Sequence, residues 1–230
     1  MEYVTLSNGV KMPILGYGVY QVTQEECERC VMDALKVGYR LLDTSQSYFN
    51  EEQVGSTIKK SGVPREDIFL TTKVWLEHYG YEQTKASVLE SMRKLQTDYL
   101  DLVLLHQPFS DTYGAYRAPF GEGRRGIFND PVIAEIASKY HKTAAQVMLR
   151  WNIQRGVVVI PKSTHIERMK ENFDVFDFAL TNEDMSAISS LDKAESLFFS
   201  HYDPNMVEWF VKMVEERKQQ HDSFKEKKIW

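Results

Sequence analysis

The sequence predicts an α/β fold built on a parallel sheet of about five strands, opened by a small hairpin and followed by a C-terminal helix. Three observations carry this expectation. Runs such as Leu102-Val103-Leu104-Leu105 are apolar at consecutive positions, as in strands covered on both faces. The stretches between them have helical periodicity and begin with capping residues. The two patterns alternate along the chain, as successive strand-crossover-strand units require.

The elements follow in order. Thr5 to Leu15 contains the turn signal Ser7-Asn8-Gly9 between short strand-like pieces, a hairpin pattern. Gly16 to Tyr20 reads as a strand, and Thr23 with Glu26 as a capping box for a helix reaching Lys36. Tyr39–Thr44, Ile68–Trp75 and Leu100–Gln107 are further strands, separated by helices over Asn50–Lys60 and Glu82–Leu95. Between Gln107 and Gly121 there is too little chain for a crossover helix plus another strand. Asp130-Pro131 then supplies an N-cap and a proline at the first helical position, and Thr143 with Gln146 caps a helix to Gln154. Val157–Ile160 is the fifth strand, Thr164 with Glu167 opens the next helix, Thr181 with Asp184 another, and Pro204–Lys218 the last. Periodicity alone favours an open, doubly wound sheet, because a closed parallel barrel needs eight strands. No linker divides the chain, so residues 1–230 form a single domain with one candidate seam at Asp111–Gly126.

Bulk composition excludes several classes of function. Hydrophobic content of 43% with 27% charged residues suits a packed core and not a disordered chain. A net charge of −5 and no basic face beyond the tail run Lys225-Glu226-Lys227-Lys228 argue against a nucleic-acid partner. No window approaches the ~18 apolar residues of a membrane span. Met1-Glu2-Tyr3-Val4-Thr5 lacks a basic flank leading into an apolar stretch, so a cytoplasmic location is expected. Cys27-Glu28-Arg29-Cys30 matches a redox spacing, but Cys27 falls about one turn inside its helix, where it gains nothing from the helix amino terminus.

Three successive strands end in an ionisable residue: Asp43 after Leu41-Leu42, Lys73 after Leu70-Thr71-Thr72, and His106 after Leu104-Leu105. The carboxyl ends of parallel strands converge on one face, and burying any of these groups unpaired would cost several kcal/mol, so mutual pairing is expected. Tyr48 lies in the loop Thr44-Ser45-Gln46-Ser47-Tyr48-Phe49-Asn50-Glu51. A phenol is a poor acid at neutral pH, but an adjacent ammonium held by a carboxylate stabilises its phenolate and makes it a workable proton donor to a carbonyl oxygen. His106 could donate a hydrogen bond to the same oxygen. Asp43, Tyr48, Lys73 and His106, in the contexts Leu-Asp-Thr, Ser-Tyr-Phe-Asn-Glu, Thr-Thr-Lys-Val-Trp and Leu-Leu-His-Gln-Pro, resemble the catalytic tetrad of the aldo-keto reductases. The resemblance, nearest to bacterial reductases of the 2,5-diketo-D-gluconate reductase type, implies a (β/α)8 TIM barrel. It also implies a monomer that reduces small-molecule carbonyl substrates with hydride from a nicotinamide.

The segment Val157-Val158-Val159-Ile160-Pro161-Lys162-Ser163-Thr164 leads from a strand into a helix amino terminus. Its backbone N–H groups, two hydroxyls and Lys162, with Arg168 one turn further on, form an anion site. Ile160–Asn172 resembles the family's site for an adenosine 2′-phosphate, which implies NADPH held by Lys162, Ser163, Arg168 and Asn172, with Glu171 at the adenine end. Gly121-Glu122-Gly123-Arg124-Arg125-Gly126 formally fits a dinucleotide fingerprint, but no strand precedes it. It resembles instead the family's loop over the pyrophosphate, which assigns Gly121 and Gly123 to cofactor binding. Tyr20, Trp75, Phe109 and the segment Leu197–Tyr202 resemble substrate-pocket positions. Against the family pattern, the chain joins at Ala118-Pro119 where three strand-helix units of about 80 to 90 residues are expected. The barrel is therefore expected to be incomplete and to self-associate through exposed strand edges. Reduction of aldehydes and ketones is the leading reading. A truncated, inactive relative with weak or no nucleotide binding is the alternative, and a Schiff-base aldolase using Lys73 is a third.

Overall fold

The computed structural model describes residues 1–106 and 126–192, together with 205–206, 208–213, 215–216 and 219 of the C-terminal helix. Strands β1 (Tyr3–Thr5) and β2 (Lys11–Pro13) pair antiparallel around the left-handed Gly9, forming the expected hairpin. Strands β3 (Tyr17–Gly18), β4 (Leu41–Asp43), β5 (Phe69–Val74) and β6 (Leu102–Leu105) form a parallel sheet in the order β3-β4-β5-β6. Helices α1 (Gln24–Val37), α2 (Glu51–Lys60) and α3 (Tyr81–Leu95) connect them. Residues 157–161 lie beside β3, joined by a parallel bridge between Leu15 and Val159 and by hydrogen bonds from Gly16 N–H to the Val159 carbonyl (2.8 Å) and from Val159 N–H to the Ile14 carbonyl (2.9 Å).

This topology corrects the doubly wound expectation. Strand order follows chain order without a reversal, and the last sheet segment lies beside the first parallel strand, as in a barrel. The helices α1, α2 and α3 neighbour one another in sequence, and α6 (Ile166–Phe173) neighbours α1, so these four share one layer. A doubly wound sheet would place helices on both faces. Gly55 sets the spacing within that layer: a Cβ there would come within 2.5 Å of the Leu95 backbone. The main core lies between this layer and the strands, with Leu15, Val31, Leu42, Val54, Leu70 and Leu149 fully or almost fully buried.

Several local expectations are also corrected. Thr23 is the N-cap of α1, yet its side chain caps nothing, and Glu26 pairs with Arg29 instead. The helix expected from Thr164 begins at Ile166, because Ser163 Oγ accepts the His165 N–H (3.0 Å) in a local turn, while Glu167 pairs with Lys170. Val157–Ile160 shortens to the single bridge at Val159. β6 is not covered on both faces: every residue of β5 is buried, whereas Leu105 keeps 53% of its surface exposed. Among the described residues no strand continues the sheet past β6. The seam at Asp111–Gly126, with its join at Ala118-Pro119, lies outside the described residues apart from Gly126.

A second cluster joins α4 (Pro131–Tyr140), α5 (Ala144–Gln154) and α7 (Asn182–Ser189) through Ile133, Ile136, Val147, Met148, Leu180 and Ile188. The predicted caps at Asp130, Thr143 and Thr181 all form. Asp184 closes the box on Thr181 and also accepts from Lys139 Nζ (2.9 Å) and the Tyr140 hydroxyl. Burial opposes its charge, but these donors hold the Asp184 carboxyl well below the usual carboxylate range. A carboxyl with a lowered folded-state pKa contributes stability above its unfolded value and loses it as the pH falls. Asp184→Asn should therefore cost about 1–3 kcal/mol at pH 7, with the difference from wild type shrinking below about pH 4. Urea unfolding at both pH values checks this.

Candidate active site

Register in the parallel sheet decides which side chains meet. Asp43 is opposite Thr71 across β4 and β5, so Lys73 extends two residues beyond it and its side chain reaches back. Lys73 Nζ donates to Asp43 Oδ2 (2.6 Å) and to the Thr44 carbonyl (2.9 Å), with both side chains almost completely buried. Burial raises the Asp43 carboxyl above its ordinary value, and the Lys73 ammonium opposes that rise. The Lys73 ammonium lies 5.1 Å from the centre of the Tyr48 ring. His106 follows β6, its N–H bonded to the Val74 carbonyl, and its ring meets that of Tyr48 edge-on at 5.6 Å. The structure thus brings Asp43, Tyr48, Lys73 and His106 into one cluster at the carboxyl ends of the strands.

Tyr48 sits in a 3-10 turn, Gln46–Tyr48, whose shape depends on neighbours to which sequence reasoning gave no role. Asn50 is fully buried: its Nδ2 donates to the Val19 and Val22 carbonyls and its Oδ1 accepts from Thr44 Oγ1 (2.9 Å). Gln46 donates to Ser91 Oγ and accepts the Trp75 N–H (3.1 Å), tying the turn to α3 and β5. Glu51, buried, accepts from Thr72 Oγ1 (2.7 Å). Burial pushes the Glu51 carboxyl up, against the hydroxyls of Thr72 and Ser91. A polar residue that the sequence leaves in a loop, followed at once by a helix, is the signal that could have marked Asn50 as a structural tie.

Aromatic rings line the cluster. Tyr20 packs against Tyr48 at 5.2 Å, Trp75 against His106 at 5.1 Å, and Phe210 of the C-terminal helix against Trp75 at 6.2 Å. Trp75 is 4% exposed beneath Phe210, so its ring is walled off from open solvent. At the other end, Lys162 and Arg168 are exposed near the amino terminus of α6, and neither forms an ion pair among the described residues. Ser163 and Asn172 are buried, and Glu171 accepts from Thr143 Oγ1 (2.7 Å). The Tyr17 hydroxyl donates to the Ser163 carbonyl (2.6 Å), tying this segment to β3. Phe109, Gly121, Gly123 and Leu197–Tyr202 lie outside the described residues. Cys27 and Cys30 are buried and unbridged, and burial pushes both thiols up, which opposes thiolate chemistry.

With this geometry in place, comparison with known proteins is decisive. The family model described as Aldo/keto reductase family matches residues 14–128 and 129–193. The chain belongs to the aldo/keto reductase family. A glyoxal reductase of Bacillus subtilis (strain 168) is 37% identical over 259 residues, covering 84% of this chain and 94% of the relative. Methylglyoxal reductase DkgA of Escherichia coli (strain K12) is 32% identical over 262 residues, with the same coverage. Among solved structures, an aldo/keto reductase from Brucella melitensis is 35% identical with a TM-score of 0.76, covering 83% of this chain and 98% of that one. A putative 2,5-diketo-D-gluconic acid reductase B is 34% identical with a TM-score of 0.80, covering 87% and 95%.

Aldo/keto reductases are oxidoreductases acting on carbonyl groups, and the fold is their (β/α)8 barrel in shortened form. An alignment of 262 positions that engages 84% of a 230-residue chain leaves about 70 positions of the relative opposite no residue here. Lys73→Met would leave the Asp43 carboxylate buried without its partner and should destabilise the protein by about 3–5 kcal/mol. The double variant Asp43→Asn with Lys73→Met should recover part of that loss, and a double-mutant cycle by urea unfolding measures the coupling.

Proposed function

We propose that this chain reduces aldehydes and ketones to alcohols with NADPH, at the cluster formed by Asp43, Tyr48, Lys73 and His106. The observation that carries the reading is the buried Lys73–Asp43 pair with its ammonium beside the Tyr48 ring. The hydroxyl of Tyr48 gives its proton to the carbonyl oxygen, and the neighbouring ammonium stabilises the phenolate left behind. His106 donates a hydrogen bond to that oxygen and fixes its direction. Asp43 Oδ2 and the Thr44 carbonyl hold the Lys73 Nζ in this orientation. Bound NADPH supplies the hydride that the carbonyl carbon accepts.

The phosphate end fits such a cofactor: Lys162 and Arg168 form no ion pair among the described residues and are set near the amino terminus of an eight-residue helix. Lys162, Ser163, Arg168 and Asn172 would hold the 2′-phosphate end, Glu171 beside Thr143 the adenine end, and Gly121 and Gly123 the pyrophosphate. Tyr20, Trp75 and Phe109 would line the substrate pocket. The names of the glyoxal and methylglyoxal reductases make small dicarbonyl compounds the first substrates to test. A Schiff-base role for Lys73 is disfavoured, since its ammonium already donates to Asp43 and to the Thr44 carbonyl.

The exposure of Val103, Leu104 and Leu105 on β6 favours a second reading, a truncated, inactive relative with weak or no nucleotide binding that self-associates through its strand edge. Methylglyoxal turnover with NADPH that drops at least about 100-fold in Tyr48→Phe, at unchanged cofactor affinity by fluorescence titration, supports reduction. Weak or no cofactor binding without turnover in the wild type supports the second reading. Arg168→Ala should weaken NADPH by about 10-fold or more and leave NADH almost unchanged, since only the former carries the 2′-phosphate.

A further inference from the structure

The turn before Tyr48 carries two serines that contact the ring of His106. Ser45 Oγ lies 2.8 Å from His106 Nδ1 and Ser47 Oγ 3.3 Å from the same nitrogen, while the two hydroxyl oxygens are 3.2 Å apart. Ser45 is fully buried and Ser47 almost so. Ser45 Oγ already accepts the Ser47 backbone N–H at 3.3 Å, so its own hydrogen must be given elsewhere. For this buried hydroxyl, an unprotonated imidazole nitrogen at 2.8 Å is a better acceptor than a second hydroxyl at 3.2 Å. Were the hydrogen on Nδ1 instead, it would point at a Ser45 oxygen that already accepts the Ser47 N–H, and the Ser45 hydrogen would be left with the longer contact to Ser47 Oγ.

We infer that Ser45 and Ser47 are positioning residues that fix His106 as the neutral tautomer with its hydrogen on Nε2. Nδ1 accepts from Ser45 Oγ, the nearer hydroxyl, with Ser47 Oγ beside it, so Nε2 is the nitrogen that donates within the aromatic cluster. The backbone of His106 is held separately: its N–H bonds to the Val74 carbonyl and its carbonyl accepts from the Tyr79 hydroxyl (2.8 Å). The two serines therefore set the ring's rotation and tautomer, not the position of the strand end. This inference rests on the carbonyl-reduction reading for its purpose, since a donor on Nε2 is what a developing alkoxide requires. The tautomer itself does not depend on that reading.

Long-range proton–nitrogen NMR of the full chain with labelled histidine reads the tautomer without cofactor or substrate. The His106 signal is assigned by its loss in His106→Gln. The expected wild-type pattern has an unprotonated Nδ1 and a protonated Nε2. In the double variant Ser45→Ala with Ser47→Ala the two tautomers should mix, with Ser45→Ala alone having the larger part of the effect. In methylglyoxal turnover, kcat should fall at least about 10-fold in the double variant while KM moves little, as for a bond that matters most in the transition state. A wild-type hydrogen on Nδ1 overturns the proposal, and so does a double variant that folds, by its circular dichroism, with an unchanged nitrogen pattern. If the double variant does not fold, the wild-type spectrum still decides. Should the expected tautomer appear in a protein that shows no turnover, the reduction reading fails and the serine assignment stands.

Discussion

The buried ion pair between Lys73 and Asp43 constrains the rest of the molecule. Two charges taken out of water are tolerated when they meet each other at hydrogen-bond distance and their remaining groups are also satisfied. Both conditions need β4 and β5 in a single register, because a slip of one residue would turn Lys73 to the opposite face. The pair therefore works as a clamp on the sheet. The Thr44 carbonyl is drawn toward the ammonium by the same arrangement, and the loop that carries Tyr48 starts at that residue. What stabilises the sheet's register is also what sets a cation beside a phenol.

Much of this was legible in the sequence, and for physical reasons. Strands that end in Asp43, Lys73 and His106 announce a common face because parallel strands place their carboxyl ends together, and the capping residues at Asp130, Thr143 and Thr181 act locally. The errors share a cause, which is competition that local pattern cannot see. Thr23 and Glu26 have the spacing of a capping box, but Arg29 recruits Glu26. Thr164 and Glu167 have it too, but the Ser163 hydroxyl takes the His165 N–H first. The doubly wound expectation came from counting strands. Whether the helices cover one face or both is settled by which of them touch, and α6 against α1 is a contact between residues more than a hundred positions apart. Gln46 and the two serines were invisible for a related reason: their partners Ser91, Trp75 and His106 lie on other elements, and no spacing in the chain announces them.

The shortened sheet has an uneven cost. β3, β4 and β5 are covered on both sides by neighbours, whereas β6 leaves Val103, Leu104 and Leu105 exposed. Among the described residues β6 is the last strand of the sheet, and apolar surface on such a strand is a liability; this exposure lies beside His106. His106 is nonetheless held from two sides, by backbone bonds to β5 and by ring contacts to Tyr48 and Trp75. The site's geometry thus leans on the covered strands more than on the exposed one.

The same asymmetry bears on how the two ends of the proposed cofactor site stay aligned. Among the described residues, the segment carrying Lys162 and Ser163 makes no hydrogen bond to β6. It is bonded to β3, through Gly18 N–H to the Pro161 carbonyl (3.3 Å) and the Tyr17 hydroxyl to Ser163. Gly18 permits this closeness, since a Cβ there would lie 3.0 Å from the Ile160 carbonyl oxygen. β3 in turn pairs with β4, which ends in Asp43. The proposed phosphate end and the Asp43 end are therefore separated by two strand pairings, both on the covered side of the sheet. A chain shortened elsewhere in its barrel can keep these two ends in fixed relation, because none of the bonds that align them crosses the open edge.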